Sequence, residues 1–115
     1  MNRYDLVLHV DKTDGSLSIA FNNAINYAQA LHGETYRMAL VANAKAVTQL
    51  TRDNVAIEEL LEKACAAGLE IRVCRNALKA NGLELDDLFP QCVVVPAGVV
   101  EIVNLQREGY AYIKP

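Results

Sequence analysis

The sequence lacks the features that mark a binder of nucleic acid or of membrane surfaces. Its 11 Lys and Arg are outnumbered by 14 Asp and Glu, giving a net charge of −3 and a pI of about 5.3. A nucleic-acid-binding domain would show a basic face, and a polybasic membrane contact would need clustered cations. Neither partner is expected. No apolar run is long enough to span a bilayer. The run after Met1-Asn2-Arg3-Tyr4-Asp5 ends by Asp11, too short and too interrupted for a signal peptide or a spanning helix. Cysteine is sparse, with only Cys65, Cys74 and Cys92. An odd set without framework spacing argues against a disulfide-stapled secreted domain. No CxxC and no zinc-spaced Cys/His cluster occurs, so a reducing cytoplasm is the expected setting. The absence of Trp excludes nothing.

Phosphate-cradling motifs are missing too. Neither GxGxxG nor GxxxxGK occurs, so a nucleotide site has no support. No linker or low-complexity stretch divides the chain. Residues 1–115 therefore read as one domain, near the common domain size. With 52% hydrophobic and 22% charged residues, the composition is that of an ordinary folded globule.

What the chain does have is a repeated joint, a helix closed by Gly and followed by a strand. Gly33, Gly68 and Gly109 each stand at such a joint. Glycine suits the left-handed position past a helix end because it has no Cβ to clash. Strands are expected at residues 3–10, 35–41, 69–73, 92–95 and 110–113, and helices at 16–32, 45–50, 55–67, 75–80 and 98–108. Leu17, Ala20, Phe21, Ala24, Ala28 and Leu31 fall at helical spacing and define a buried stripe. Ile57, Leu60, Leu61 and Ala64 do the same in the helix at 55–67, for which Asp53 or Asn54 is the expected N-cap. Val93-Val94-Val95 reads as a strand covered on both faces. This alternation predicts an α/β fold, a three-layer α/β/α sandwich around a five-stranded, mainly parallel sheet. The helix at 98–108 is apolar on more than one side, through Val99, Val100, Ile102, Val103 and Leu105. It either meets a partner subunit or is well buried within one chain, and a homo-oligomer is expected.

Ligands of open parallel sheets bind beyond the carboxyl ends of the strands. Those ends carry Asp11–Ser16, Ala42-Asn43-Ala44, Cys74-Arg75-Asn76 and Pro96-Ala97-Gly98. Cys74 stands where a strand hands over to a helix. There, unpaired N–H groups and the helix dipole favour a thiolate. Arg75 could add positive charge and Asn76 a hydrogen bond. The same residue also reads as a small buried apolar side chain, and the residues alone leave both readings open. Cys65 reads as core filler. Cys92 begins its strand, four or five residues of roughly 3.3 Å each from the Cys74 edge. A disulfide needs Cα atoms within about 7 Å, so Cys74 is expected to be a lone thiol. Asp11, Thr13 and Gly15 loosely echo a calcium loop, but Asn22 stands where the twelfth-position Glu belongs. No metal site is expected, and Asp14 or Ser16 is the expected cap of the first helix. His9 and His32 read as structural.

Two segments resemble the DsrE/DsrF-like family: Gly68-Leu69-Glu70-Ile71-Arg72-Val73-Cys74-Arg75-Asn76-Ala77-Leu78-Lys79-Ala80-Asn81-Gly82-Leu83, and the run from Val95-Pro96-Ala97-Gly98 to Tyr112-Ile113-Lys114-Pro115. Val7-Leu8-His9-Val10 and Val41-Ala42-Asn43 fit as well. The resemblance implies a parallel five-stranded sheet with strand one beside the last strand, and trimers or hexamers. In the sulfur-relay branch, a cysteine matching Cys74 accepts sulfur as a persulfide and passes it on, working with donor and acceptor proteins. Such transfer needs a nucleophilic thiolate and no cofactor. Asn43, Arg75, Asn76 and Gly98 would line that pocket. The alternatives are an oligomeric protein that binds a small anion or metabolite, its cysteine incidental, and a thiol redox sensor.

Overall fold

Parallel strands cannot be joined by hairpins, so each step between them carries a crossover, and the helix-Gly-strand joints supply these. The computed structural model describes residues 3–115. Its strands are β1 (Leu6–Val10), β2 (Met38–Ala42), β3 (Leu69–Cys74), β4 (Cys92–Val95) and β5 (Ala111–Ile113). Its α-helices are α1 (Ser16–Ala30), α2 (Val55–Ala66), α3 (Arg75–Ala80) and α4 (Gly98–Arg107). The expected helix at 45–50 is a 3-10 helix, Ala44–Leu50, and a second 3-10 turn covers Leu85–Asp87.

The sheet order is β4-β3-β2-β1-β5, and all four pairings are parallel. β1 lies beside β5, with Leu6 opposite Ala111. The chain steps from β1 to β4 in one direction, then returns from one edge to the other. Crossovers between parallel strands are right-handed, so reversing the direction moves the connecting helix to the opposite face. That is why α4 alone covers the second face. The first face packs Leu6, Leu8, Met38, Leu40, Ile71 and Val73 against Leu17, Phe21, Ala24, Leu61 and Ala64. The second packs Val7, Ala39 and Val41 against Ile102, Leu105 and Tyr110.

Two of the three glycine joints are tight. Gly68 (φ 110°) follows the α2 C-cap Ala67 and leads directly into β3. At the end of α4, Gly109 N donates to Gln106 O and Tyr110 N donates to Leu105 O, both at 3.0 Å. This Schellman pair satisfies carbonyls the helix leaves free. The Gly33 joint is looser, because α1 ends at Ala30 and β2 begins only at Met38. Residues 35–37, expected in the strand, precede the register that pairs Leu6 with Met38.

Three local expectations are corrected. The cap position of α1 is Gly15 (φ 90°), and Ser16 is already its first helical residue. Asp14 serves from one residue further back, its Oδ1 accepting from Ser16 N at 3.1 Å. Asn54 stands at the α2 cap position without capping it; its Nδ2 donates to Gln49 O at 2.8 Å. The Val93–Val95 strand is not covered on both faces. β4 is an edge strand, and Val93 is 59% exposed. The physical reason is that α4 packs across β1, β2 and β3 and stops short of β4.

Candidate functional site

Side chains alternate along a strand, so Glu70 and Arg72 of β3 share the second face, while Cys74 at the strand end packs with the first-face core and sets its Cβ against Gly98. Cys74 ends β3 and is also the N-cap residue of α3. Its register partner is Val95, the last residue of β4. The chain leaves β3 toward the first face through α3 and leaves β4 toward the second through α4. The β3–β4 boundary is therefore the topological switch point, where open α/β sheets form their crevices.

Gly98 opens α4 and closes this corner. A Cβ at Gly98 would lie 3.1 Å from Asn43 Cβ, 3.3 Å from Cys74 Cβ and 3.4 Å from Val41 Cγ1. Only glycine allows so close an approach without displacing its neighbours. Arg72 and Glu101 hold the helix there, with Arg72 Nη1 donating to Glu101 Oε2 at 2.6 Å. Burial works against the Arg72 charge, but the Glu101 and Glu70 carboxylates outweigh it and raise the guanidinium further.

Three of the expected site residues thus meet: Cys74, Asn43 and Gly98. Arg75 and Asn76 follow Cys74 on the exposed first turn of α3. Arg75 lines a surface cavity of about 570 Å³ with Leu78, Lys79 and Val94, and Cys74 is not in that lining. Cys74 itself is 6% exposed.

The three cysteines are free and differ in setting. Cys92 lies in the first-face core opposite Ile71. Burial pushes its thiol up to about 12. Burial also raises the Cys65 thiol. Neither residue reaches the carboxyl edge of the sheet, where Cys74 lies.

Sequence reasoning missed two residues here. His9, read as structural, has both ring nitrogens engaged: Nδ1 lies 2.7 Å from Tyr112 Oη and Nε2 lies 2.9 Å from Asn43 Oδ1. The available signal was a histidine at a second-face position of β1, where Val7 shows that an apolar residue fits. Asn43 also precedes a strained residue. Ala44 has φ 52° and is the one non-glycine residue with positive φ among those described. Such a conformation costs about 1–2 kcal/mol, and this one turns the chain from β2 into the 3-10 helix.

The Asp11–Ser16 loop is occupied by its own contacts. Lys114 Nζ lies 2.7 Å from Asp11 Oδ1, and this hydrogen bond holds the Asp11 carboxyl below its usual range. Among the described residues, no three His, Cys, Asp or Glu converge as metal ligands. Among them also, no helix is long and apolar enough to cross a membrane.

Comparison with known proteins follows the same geometry. The model of the DsrE/DsrF-like family matches residues 5–115. The chain is similar to MTH1491 from Methanobacterium thermoautotrophicum, a protein of unknown function, at 33% identity and TM-score 0.88, covering 97% of this chain and 99% of that one. BT1422 from Bacteroides thetaiotaomicron, also of unknown function, shares the fold at 10% identity and TM-score 0.75, covering 96% and 94% of the two chains. The ychN protein from E. coli shares it at 17% identity and TM-score 0.72 over 100% of both. A search of curated proteins found no match.

Proposed function

Since this chain belongs to the DsrE/DsrF-like family, we propose that it is a sulfur carrier that holds sulfur as a persulfide on Cys74. The observation that carries this reading is the position of Cys74, at the β3–β4 switch point beside Asn43 and Gly98. In the proposed step, the Cys74 thiolate attacks the outer sulfur of a donor persulfide, R–S–SH. The donor S–S bond breaks and its inner sulfur leaves as the thiolate RS⁻. The proton stays on the transferred sulfur, giving Cys74–S–SH. An acceptor thiolate repeats the displacement, so no external oxidant or cofactor is consumed. A cytoplasmic setting suits such a thiol.

The carrier would act as a homotrimer or homohexamer with donor and acceptor proteins as partners. In support, Val99, Val100 and Val103 on α4 are 60%, 56% and 47% exposed, an apolar surface of the kind that associates.

The test is intact-mass measurement after incubation with a low-molecular-weight persulfide. The expected product is heavier by one sulfur atom. It should vanish in Cys74→Ala and persist in Cys65→Ala and Cys92→Ala. One observation favours a second reading, a non-catalytic protein that binds a small anion or metabolite: Cys74 is 6% exposed, as a packed core thiol would be. No sulfur gain across several donors would overturn the carrier reading and leave this one.

A further inference from the structure

His9, Asn43 and Tyr112 form a hydrogen-bonded line that ends beside Cys74. The line crosses four adjacent strands: Tyr112 in β5, His9 in β1, Asn43 just past β2 and Cys74 at the end of β3. Its direction follows from donor chemistry. An amide oxygen can only accept, so the contact with Asn43 Oδ1 requires a proton on His9 Nε2. His9 Nδ1 then accepts from the Tyr112 hydroxyl. The tyrosine hydroxyl can donate or accept, so it holds the ring in place rather than choosing its tautomer, and the ring Nε2–H holds the amide oxygen.

The amide has two unlike ends. His9 takes the oxygen, which leaves Asn43 Nδ2 as the free end, with no hydrogen-bond partner among the described residues. Asn43 and Cys74 leave the backbone against the same Gly98. An Nδ2 donor stabilises an anionic sulfur at that corner, whereas a flipped amide would present oxygen to the anion and repel it.

We propose that Tyr112 and His9 are positioning residues that lock Asn43 with its Nδ2 donating to the anionic sulfur of Cys74, thiolate or persulfide. This rests on Cys74 being the reacting thiol, but it does not require that sulfur be the group transferred.

The test reads the rate of Cys74 alkylation by iodoacetamide, followed by peptide mass spectrometry at neutral pH in variants that unfold as cooperatively as the wild type. Loss of one hydrogen bond to a charged group is expected to slow Asn43→Ala about tenfold. His9→Ala and Tyr112→Phe should each slow the reaction by about threefold or more, because a freed amide samples both orientations. His9→Gln, whose amide N–H can replace Nε2–H, should remain within about twofold of wild type. The decisive arm is the double variant. If His9 acts only through Asn43, the His9→Ala/Asn43→Ala variant reacts no more slowly than Asn43→Ala alone.

Multiplying effects in the double variant, or a His9→Ala protein that reacts at the wild-type rate, would overturn the proposal. So would a wild-type Cys74 no more reactive than Cys92. Failure of the carrier reading is separable: the alkylation pattern would stand while persulfide donors left the mass unchanged.

Discussion

Gly98 is the residue on which the site turns, and its substitution separates packing from helix propensity. Alanine is favoured over glycine inside a helix by about 1 kcal/mol, less at a first position such as this. The added methyl would meet Asn43 and Cys74 at 3.1 and 3.3 Å, and overpacking costs about 1–3 kcal/mol. Packing wins, so Gly98→Ala should destabilise the protein by about 1 kcal/mol and Gly98→Val by more, measured by urea unfolding. A Gly98→Ala protein as stable as wild type would show that α4 shifts freely at this end. At this scale Cys74, Asn43 and Gly98 were legible, because each lies at or just beyond the carboxyl end of a strand or opens the helix that follows. His9 and Tyr112 were not, because they are 103 residues apart in sequence. Their meeting depends on β1 lying beside β5.

The helix-Gly-strand joints are the elements most plainly written in the chain, and they are not equivalent. Gly109 has φ 96° and sits between a Schellman pair and β5. Gly33 has φ 91° but lies in a connection that runs from Leu31 to Arg37. An L-residue pays a similar local strain at both, about 1–2 kcal/mol. The longer connection can relax by rerouting and the short one cannot. Gly109→Ala should therefore lower unfolding stability by about 1–2 kcal/mol and Gly33→Ala by clearly less. Equal losses would mean that joint length does not matter. Strand ends were read less well than strand cores. Residues 35–37 are extended in pattern, but Arg37 N donates to the buried Asp5 carboxylate at 2.7 Å and the ladder begins only after it.

Across the whole molecule, the two faces of the sheet are covered unequally. Several helices lie on one face and α4 alone on the other, so Val93 and the outer valines of α4 remain in solvent. A cavity of about 550 Å³ between β4 and α4 is lined by Arg72, Val93, Val95 and Glu101. A second copy covering this surface would remove it from water. The expected result is an oligomeric mass by light scattering for the wild type and a smaller mass for Val103→Glu, with unchanged secondary structure. A Val103→Glu protein of wild-type mass would place any subunit contact elsewhere. The sequence showed the apolar excess of α4 but misassigned the Val93–Val95 run. An unbroken valine run looks the same in a strand buried between helices and in an edge strand with one bare face.

By itself the sequence determined the elements and their alternation, the carboxyl-edge loops and the isolation of Cys74 from Cys92. These follow from glycine at helix ends, apolar periodicity and strand length, all of which act within a few residues. No local pattern placed β1 beside β5, which the family resemblance implied and the sheet order bears out, and only the tertiary structure decided that β4 is an edge and that Tyr112, His9 and Asn43 line up toward Cys74. Those outcomes depend on the direction and hand of the crossovers, and a crossover joins positions that no local pattern relates.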